Sequence, residues 1–425
     1  MSANGEFQIG VAVRDISPPQ PTRLKPTGMG RLVPTRGVLD PLRVEAMAIR
    51  AGGELAFVTS SDLRTVWIEW VQEIREAVAA RTGCDPGRVL ISGTHNHCSS
   101  PEAADDSPEA KAALEAANRK IIDGFIDACV EGAGSLRPAE IATATFTLRE
   151  PVGQNRRFRL SNGTCVNTWG SGPVIPPGMK AVGPGGPDSD RADVLVAREV
   201  GAERPFALFI SYPSHPHLCA LPYFSGEFPG AVKRRVERLI PGATAMQASH
   251  AGGNIDLHCI HPMPDGEPAQ VQWFKDSAEL LAERFTRDLL PAIPTGGYSR
   301  PSKMRHEYWS TEGAEPAGSK RLTVLNAVAL GDVALVSMPG ELFIELAQDI
   351  HAASPFPHNI LMGYNGSRQG YVPRPLGFEQ GSYEVMRGPS LTVEEDLAQP
   401  SSVRSRIETG REITAKILEI LHRLR

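Results

Sequence analysis

Four of the chain's 11 histidines fall in two short places, and each place follows an apolar, strand-like run. In LISGTHNHC, His95 and His97 stand two residues apart. An extended backbone turns residues i and i+2 to one side, so both imidazoles can face one point. In FALFISYPSHPHLCAL, His215 and His217 repeat the arrangement at the end of a second strand. Neutral imidazole suits zinc and similar metals, and α/β proteins place ligand sites at the C-terminal ends of strands. Either pair alone reads equally as loop histidines bonded to nearby carbonyls, but two strands delivering histidines in the same way favour a metal. A third strand, Val333–Met338, runs into Pro339, Gly340 and Glu341 ahead of a helical pattern. That turn places a carboxylate near a helix N-terminus, where it is stabilised ionised. With two histidines it would complete a His/His/Glu set that keeps a position open for water. Taken alone, Glu341 reads as an ordinary first-turn acid.

Further polar groups sit in loops. Tyr364, Tyr371 and Tyr383 lie among glycines in MGYNGSRQGYVPRPLGFEQGSYEV, without apolar periodicity. A phenol near a divalent cation has a lowered pKa and can bind the metal or donate to an oxyanion. QASHAGGNIDLH adds His250, Asn254, Asp256 and His258. Its GGN lacks the Lys-Ser/Thr pair and the G-x-G-x-x-G spacing of nucleotide-binding loops, so nucleotide binding is discounted. Arg156 and Arg157, beside Asn155, read either as an anion or carbonyl clamp or as a solvated basic edge.

These residues need a scaffold that brings distant strand ends together. The chain has 425 residues, 41% hydrophobic and 22% charged, which is globular composition. A net charge of -5 gives no basic field for nucleic acid. Six scattered cysteines without a C-x-x-C pair read as reduced and mostly buried. The N-terminus has no basic start followed by an apolar run, and no stretch of about 18 apolar residues occurs. The expectation is a cytoplasmic protein with no integral membrane segment; a homo-oligomer is compatible with this composition. Strand-like runs are expected at Gln8–Arg14, Val44–Ile49, Leu55–Thr59, Val89–Ser92, Glu140–Thr147, Val194–Glu199 and Phe206–Tyr212. Four more are expected at Ala243–Gln247, Leu322–Leu330, Val333–Met338 and Asn359–Tyr364. Helical spacing predicts Ile68–Thr82, Pro108–Gly134, Gly230–Leu239, Val271–Leu290 and a last helix over Glu408–Leu424. Strands and helices alternate throughout, which predicts one large α/β domain over residues 1–425 with mixed sheets flanked by helices. Its metal site would lie at strand ends. Thr168–Asp190, rich in Gly and Pro and without periodicity, reads as a lid loop or a disordered excursion.

In order along the chain, GVAVRDISPP, ISGTHNHCSS, NRR, FISYPSHP with SGEFPG, ASHAGGNID, MPGE and GYVPRPLGFEQGSYE resemble the neutral/alkaline, non-lysosomal ceramidase family. The resemblance is to its catalytic N-terminal domain, with this chain a divergent short member lacking the family's immunoglobulin-like C-terminal domain. It implies one Zn2+ per chain held by His95, His215, Glu341 and Tyr371. It places His97 on the substrate side, and Arg156 and Tyr383 against the scissile amide. Asp256 stands where the family carries a serine that acts on the amide, and could hold a water or a substrate hydroxyl.

The function expected is a zinc-dependent hydrolase acting on carbon–nitrogen bonds. It would cleave an amide, or a related ester or lactone, of a small polar molecule by metal-activated water. A metal-dependent sugar-acid enzyme (lactonase, lyase or isomerase) is the alternative, since Asp256, Asn254 and the arginine pair could grip hydroxyls or a carboxylate. A metal-binding protein without chemistry and an amidohydrolase-type barrel are weaker readings; the barrel would need a strictly repeating β-α unit.

Overall fold

The computed structural model describes residues 6–26, 33–168, 175–218, 221–258, 263–314, 320–366, 370–385 and 402–425. The main strands are β1 (Gln8–Asp15), β2 (Arg43–Ala51), β3 (Glu54–Ser61), β4 (Val89–Leu90), β5 (Arg137–Thr147), β6 (Arg191–Glu199), β7 (Pro205–Pro213) and β8 (Thr244–His250). They form one sheet in the order β8-β7-β6-β5-β1-β2-β3-β4. A second sheet contains β9 (Arg305–Ala314), β10 (Lys320–Leu330), β11 (Val333–Ser337) and β12 (His358–Met362), in sequence order. Most neighbours are antiparallel, but β3/β4, β7/β8 and β11/β12 run parallel.

Strict alternation explains why the strands read as continuous apolar runs. Val44, Ala46 and Ala48 pack against α1 (Ile68–Thr82) and α2 (Pro108–Gly134), while Met47 and Ile49 face the second sheet. Val194 and Val196 likewise face α3 (Glu227–Leu239) and α4 (Glu267–Ala292), and Leu195 faces inward. Val328, Leu335, Ile360 and Met362 of the second sheet join that inner core. Ala334, Val336 and Leu361 point the other way, toward α5 (Ile344–Ala353) and α6 (Ser402–Leu424). Both faces of both sheets are covered, so each strand is apolar on both sides. The expected mixed α/β architecture is therefore present. Its helices cover only the outer faces, and the two sheets stack on each other. No repeating β-α barrel unit exists in this order, so the barrel reading is set aside.

Serine side chains fasten the layers near the strand ends. Ser211 Oγ donates to Leu361 O across the two sheets, and Ser337 Oγ to Ile91 O. Ser60 Oγ reaches Gln247 O from near the opposite edge of the same sheet, so the large sheet is strongly coiled. The C-terminal ends of β4, β7, β8, β11 and β12 are drawn together by these contacts.

Two departures from expectation have local causes. β9 lacks an apolar run, and it is found in the sheet because it pairs along its whole length with β10. Within Thr168–Asp190, Ala181–Pro184 is a strand paired with Arg157–Leu160, which also pairs with Cys165–Asn167; positions 169–174 lie outside the described residues. Gly185 and Gly186 permit this docking. A Cβ on Gly185 would lie 2.9 Å from that of Arg157, and one on Gly186 would lie 2.6 Å from Asn155 Nδ2. Cys84, Cys98, Cys129 and Cys165 are buried free thiols, while Cys219 and Cys259 lie outside the described residues. Among the described residues no helix is long and apolar enough to cross a membrane.

His250, at the end of β8, and His351, on α5, form a buried pair away from the other histidines, with ring centroids 6.3 Å apart. Nδ1 of each is buried without a hydrogen-bond partner. Burial holds His351 down to about 4, against the opposing pull of Asp193 and with help from Arg191. It also holds His250 well below its ordinary value. A histidine depressed in the fold leaves stability intact above its unfolded pKa near 6.5 and removes it as pH falls toward the folded value. Between pH 7 and pH 4.5, His351 should account for about 2–3 kcal/mol of lost stability. Denaturant unfolding should therefore show a smaller acid loss in His351→Gln than in the wild type; equal losses would refute this origin.

Candidate metal centre

The loop leaving β4 is built to aim one nitrogen. Gly93 lets it pass close to its neighbour, since a Cβ there would lie 2.9 Å from Leu63 O. His95 then adopts φ 59°, in the left-handed region, and its N–H donates to Leu63 O. Its Nδ1 lies 2.8 Å from Arg64 O. A carbonyl only accepts, so Nδ1 carries the proton and Nε2 presents a lone pair, the tautomer a metal ligand needs. The bland expectation of a carbonyl-bonded histidine is thus met by one nitrogen, which frees the other.

His97 enters the same point. Its N–H donates to Pro216 O, tying this loop to the one after β7. Its Nε2 lies 2.9 Å from His215 Nε2 and 3.4 Å from His95 Nε2. Ligand atoms of His95, His97 and His215 all lie within 4.8 Å of one another. The structure therefore brings His97 beside the other two imidazoles. His217 stacks edge-on to His97, with centroids 4.9 Å apart. Burial, foremost, and the surrounding histidines and Arg156 hold His215 well below its ordinary pKa, hence neutral.

Glu341 closes the cluster from the second sheet. It leaves β11 through Gly340 and pairs, in a two-residue parallel ladder, directly opposite Tyr371. Its Oε2 lies 3.5 Å from His95 Nε2 and 3.9 Å from His215 Nδ1. Burial alone would raise this carboxyl, but His95, Arg156 and Arg64 outweigh it and hold the pKa below its ordinary value. Glu341 Oε2, His215 Nδ1 and the Tyr364 hydroxyl are all buried without a hydrogen-bond partner among the described residues. A buried polar atom without a partner costs about 1–3 kcal/mol. The Tyr364 hydroxyl keeps its own proton, raised in pKa by burial, but a cation at this point would satisfy the Glu341 oxygen and the imidazole lone pairs, so the donors fit a divalent metal. The Tyr364 ring stacks on His95 at 4.1 Å.

Arg156 forms the adjoining wall. It is 1% exposed and donates from Nε to Glu384, from Nη1 to Asp256 and from Nη2 to Gly253 O. Its guanidinium lies 5.3 Å from the Tyr371 ring. Burial, foremost, and Glu341 raise the Tyr371 hydroxyl above the ordinary phenol range. Tyr383 is half exposed, its ring 5.6 Å from that of Tyr371, and so lies at the rim. The structure separates the arginine pair. Arg157 is equally buried but turns to Glu384, Gln380 and Gly381 O, so it braces the wall rather than forming a clamp with Arg156. The solvated-edge reading is also excluded by their burial. Asn254 bonds Glu345 and accepts from Ile344 N, capping α5. His250 belongs to the separate pair, and His258 bonds Gln154 at 2.8 Å.

Three groups escaped sequence reasoning. Glu384 anchors both arginines, and Arg64 holds His95 Nδ1 through its carbonyl. Glu227 is the third, with φ 51° and burial to 1% exposure. Its Oε1 accepts from Leu218 N, the residue after His217, and its carboxyl bonds the thiol of Cys98, the residue after His97. Burial raises its pKa to about 8, so it is a neutral acid bridging the two histidine loops. Ser225 strengthens the bridge, donating its N–H to Cys98 O and accepting at its own carbonyl from Asn96 Nδ2. The visible signal was only SGEFPG, whose acid has no sequence neighbour to explain it.

The fold resembles that of the neutral ceramidase from Pseudomonas aeruginosa, with a TM-score of 0.68 over 96% of this chain and 75% of that one, at 13% identity. A ceramidase complexed with C2 aligns similarly, with a TM-score of 0.67, 97% and 76% coverage and 13% identity. No family model and no curated protein sequence matches the chain. The ceramidase resemblance of the ordered motifs is thus matched by the fold.

Glu227→Gln keeps the carbonyl acceptor and should leave thermal stability nearly unchanged. Glu227→Ala orphans Leu218 N and should cost about 1–3 kcal/mol by denaturant unfolding. Equal stability of the two variants would refute the bridging role.

Proposed function

We propose that the protein is a zinc-dependent hydrolase cleaving an amide, or a related ester or lactone, of a small polar substrate. The observation that carries this reading is the meeting of the His95, His97 and His215 ring nitrogens with the orphaned carboxylate oxygen of Glu341. His95, His215, Glu341 and Tyr371 are the proposed ligands of one ion per chain, with His97 on the substrate side. The fold likeness supports a hydrolase site here, and the amide specificity is drawn from what the neighbouring structures are named for. Bound zinc supplies a water of pKa about 7 and polarises a carbonyl.

The protein's own groups would do the remaining work. Arg156, held by Glu384 and Gly253 O, keeps its position as charge shifts nearby, and it lies against Tyr371 to orient that ring. Asp256 takes one Arg156 hydrogen bond through Oδ1 and would orient water or a substrate hydroxyl. His97 would hold a proton for the leaving group. Tyr383, at the rim, would meet the substrate as it enters. The sugar-acid alternative loses two of its grips, because Asn254 caps a helix and Arg157 is spent on Glu384.

Elemental analysis and turnover together test the reading. His215→Ala should lose the metal, and full metal occupancy in that variant would refute the ligand set. His97→Ala should keep metal and lose turnover; loss of metal would instead make His97 a ligand. Asp256→Asn should keep metal and lose about 10²–10⁴ in rate on acyl amides or lactones.

A further inference from the structure

Among the described residues, Arg64 is an arginine beside the site whose side chain forms no salt bridge. Arg64 follows β3, and its backbone is fixed at both ends: its N–H donates to Ser100 Oγ at 3.0 Å, and its carbonyl holds His95 Nδ1. The side chain therefore starts at the base of the metal cluster. Its Nε is buried without a partner, and among the described residues its guanidinium makes no hydrogen bond or ion pair. The other arginines of the wall are fully engaged, Arg156 and Arg157 both with Glu384. The charge of Arg64 acts on the Glu341 carboxyl and on the His217 imidazole, which arrive from different sheets.

The charge balance sharpens this. Glu384 is committed to Arg156 and Arg157 and Asp256 to Arg156, while Glu341 faces imidazoles that carry no charge to offset it. The carboxylates of the site match its arginines in number, and a divalent cation would make it net positive. An anionic ligand would both neutralise that excess and pair Arg64. Guanidinium presents a planar fork suited to carboxylate and phosphate oxygens.

Resting on the hydrolase reading, we infer that Arg64 is the anion-recognition point of the site, and that the substrate is an amide bearing a carboxylate or phosphate group. Calorimetric binding to the protein as purified tests this with N-acetylglycine, its neutral counterpart N-acetylglycinamide, and O-phospho-N-acetylethanolamine. Wild-type protein should bind at least one anion about tenfold tighter than the neutral amide; which anion prevails separates carboxylate from phosphate. Arg64→Gln should bring the anions to the neutral level, with metal content unchanged, and Arg64→Lys should keep part of the preference. No anion preference in the wild type, no binding of either anion, or a preference that survives Arg64→Gln would overturn the inference. Anion binding without turnover of any amide would spare Arg64 and sink the hydrolase reading. Turnover of neutral amides without anion preference would do the reverse.

Discussion

Acceptor atoms that share no proton have been buried at one point, and the rest of the structure is arranged around that constraint. His95 Nε2 has its proton on the other nitrogen, His215 is held neutral by burial, and Glu341 Oε2 faces both without a hydrogen bond. Lone pairs and a carboxylate in a low-dielectric site repel one another unless a positive charge stands between them. The backbone strain at His95 and Glu227 is held by surrounding hydrogen bonds to the same loops. Strain of this kind persists where the neighbours over-determine it.

The stacked sheets meet that constraint from two directions. One supplies the histidines through loops that follow β4 and β7, and the other supplies Glu341 after β11 and Tyr364 after β12. Serine-to-carbonyl bonds such as Ser337 to Ile91 lock the two sets at the strand ends. The Glu341–Tyr371 ladder then fixes a carboxylate and a phenol side by side. A shift of one layer against the other would separate these side chains, so packing of the inner core sets the geometry of the site.

Much of this was legible in the amino-acid sequence. Strands buried on both faces leave continuous apolar runs, and His95, His215, Glu341 and Tyr371 follow such runs or lie in Gly-rich loops. What was not legible depends on partners distant in sequence. That two sheets stack, rather than one sheet lying between helix layers, cannot be read from strands that are apolar on both sides. Arg157 is a brace because Glu384, more than two hundred residues away, receives it. Asn254 is a helix cap because α5 begins beside it. Ala181–Pro184 is a strand because Arg157–Leu160 accepts it as a neighbour, although its own composition gives no periodicity.

The central claim is that a cation completes the cluster, and X-ray absorption at the metal edge of the purified protein tests it most directly. The account predicts about one ion per chain with nitrogen and oxygen donors near 2.0–2.2 Å and clear imidazole scattering. Protein with no stoichiometric metal after loading, or with an ion coordinated by water alone and no imidazole signal, would contradict it.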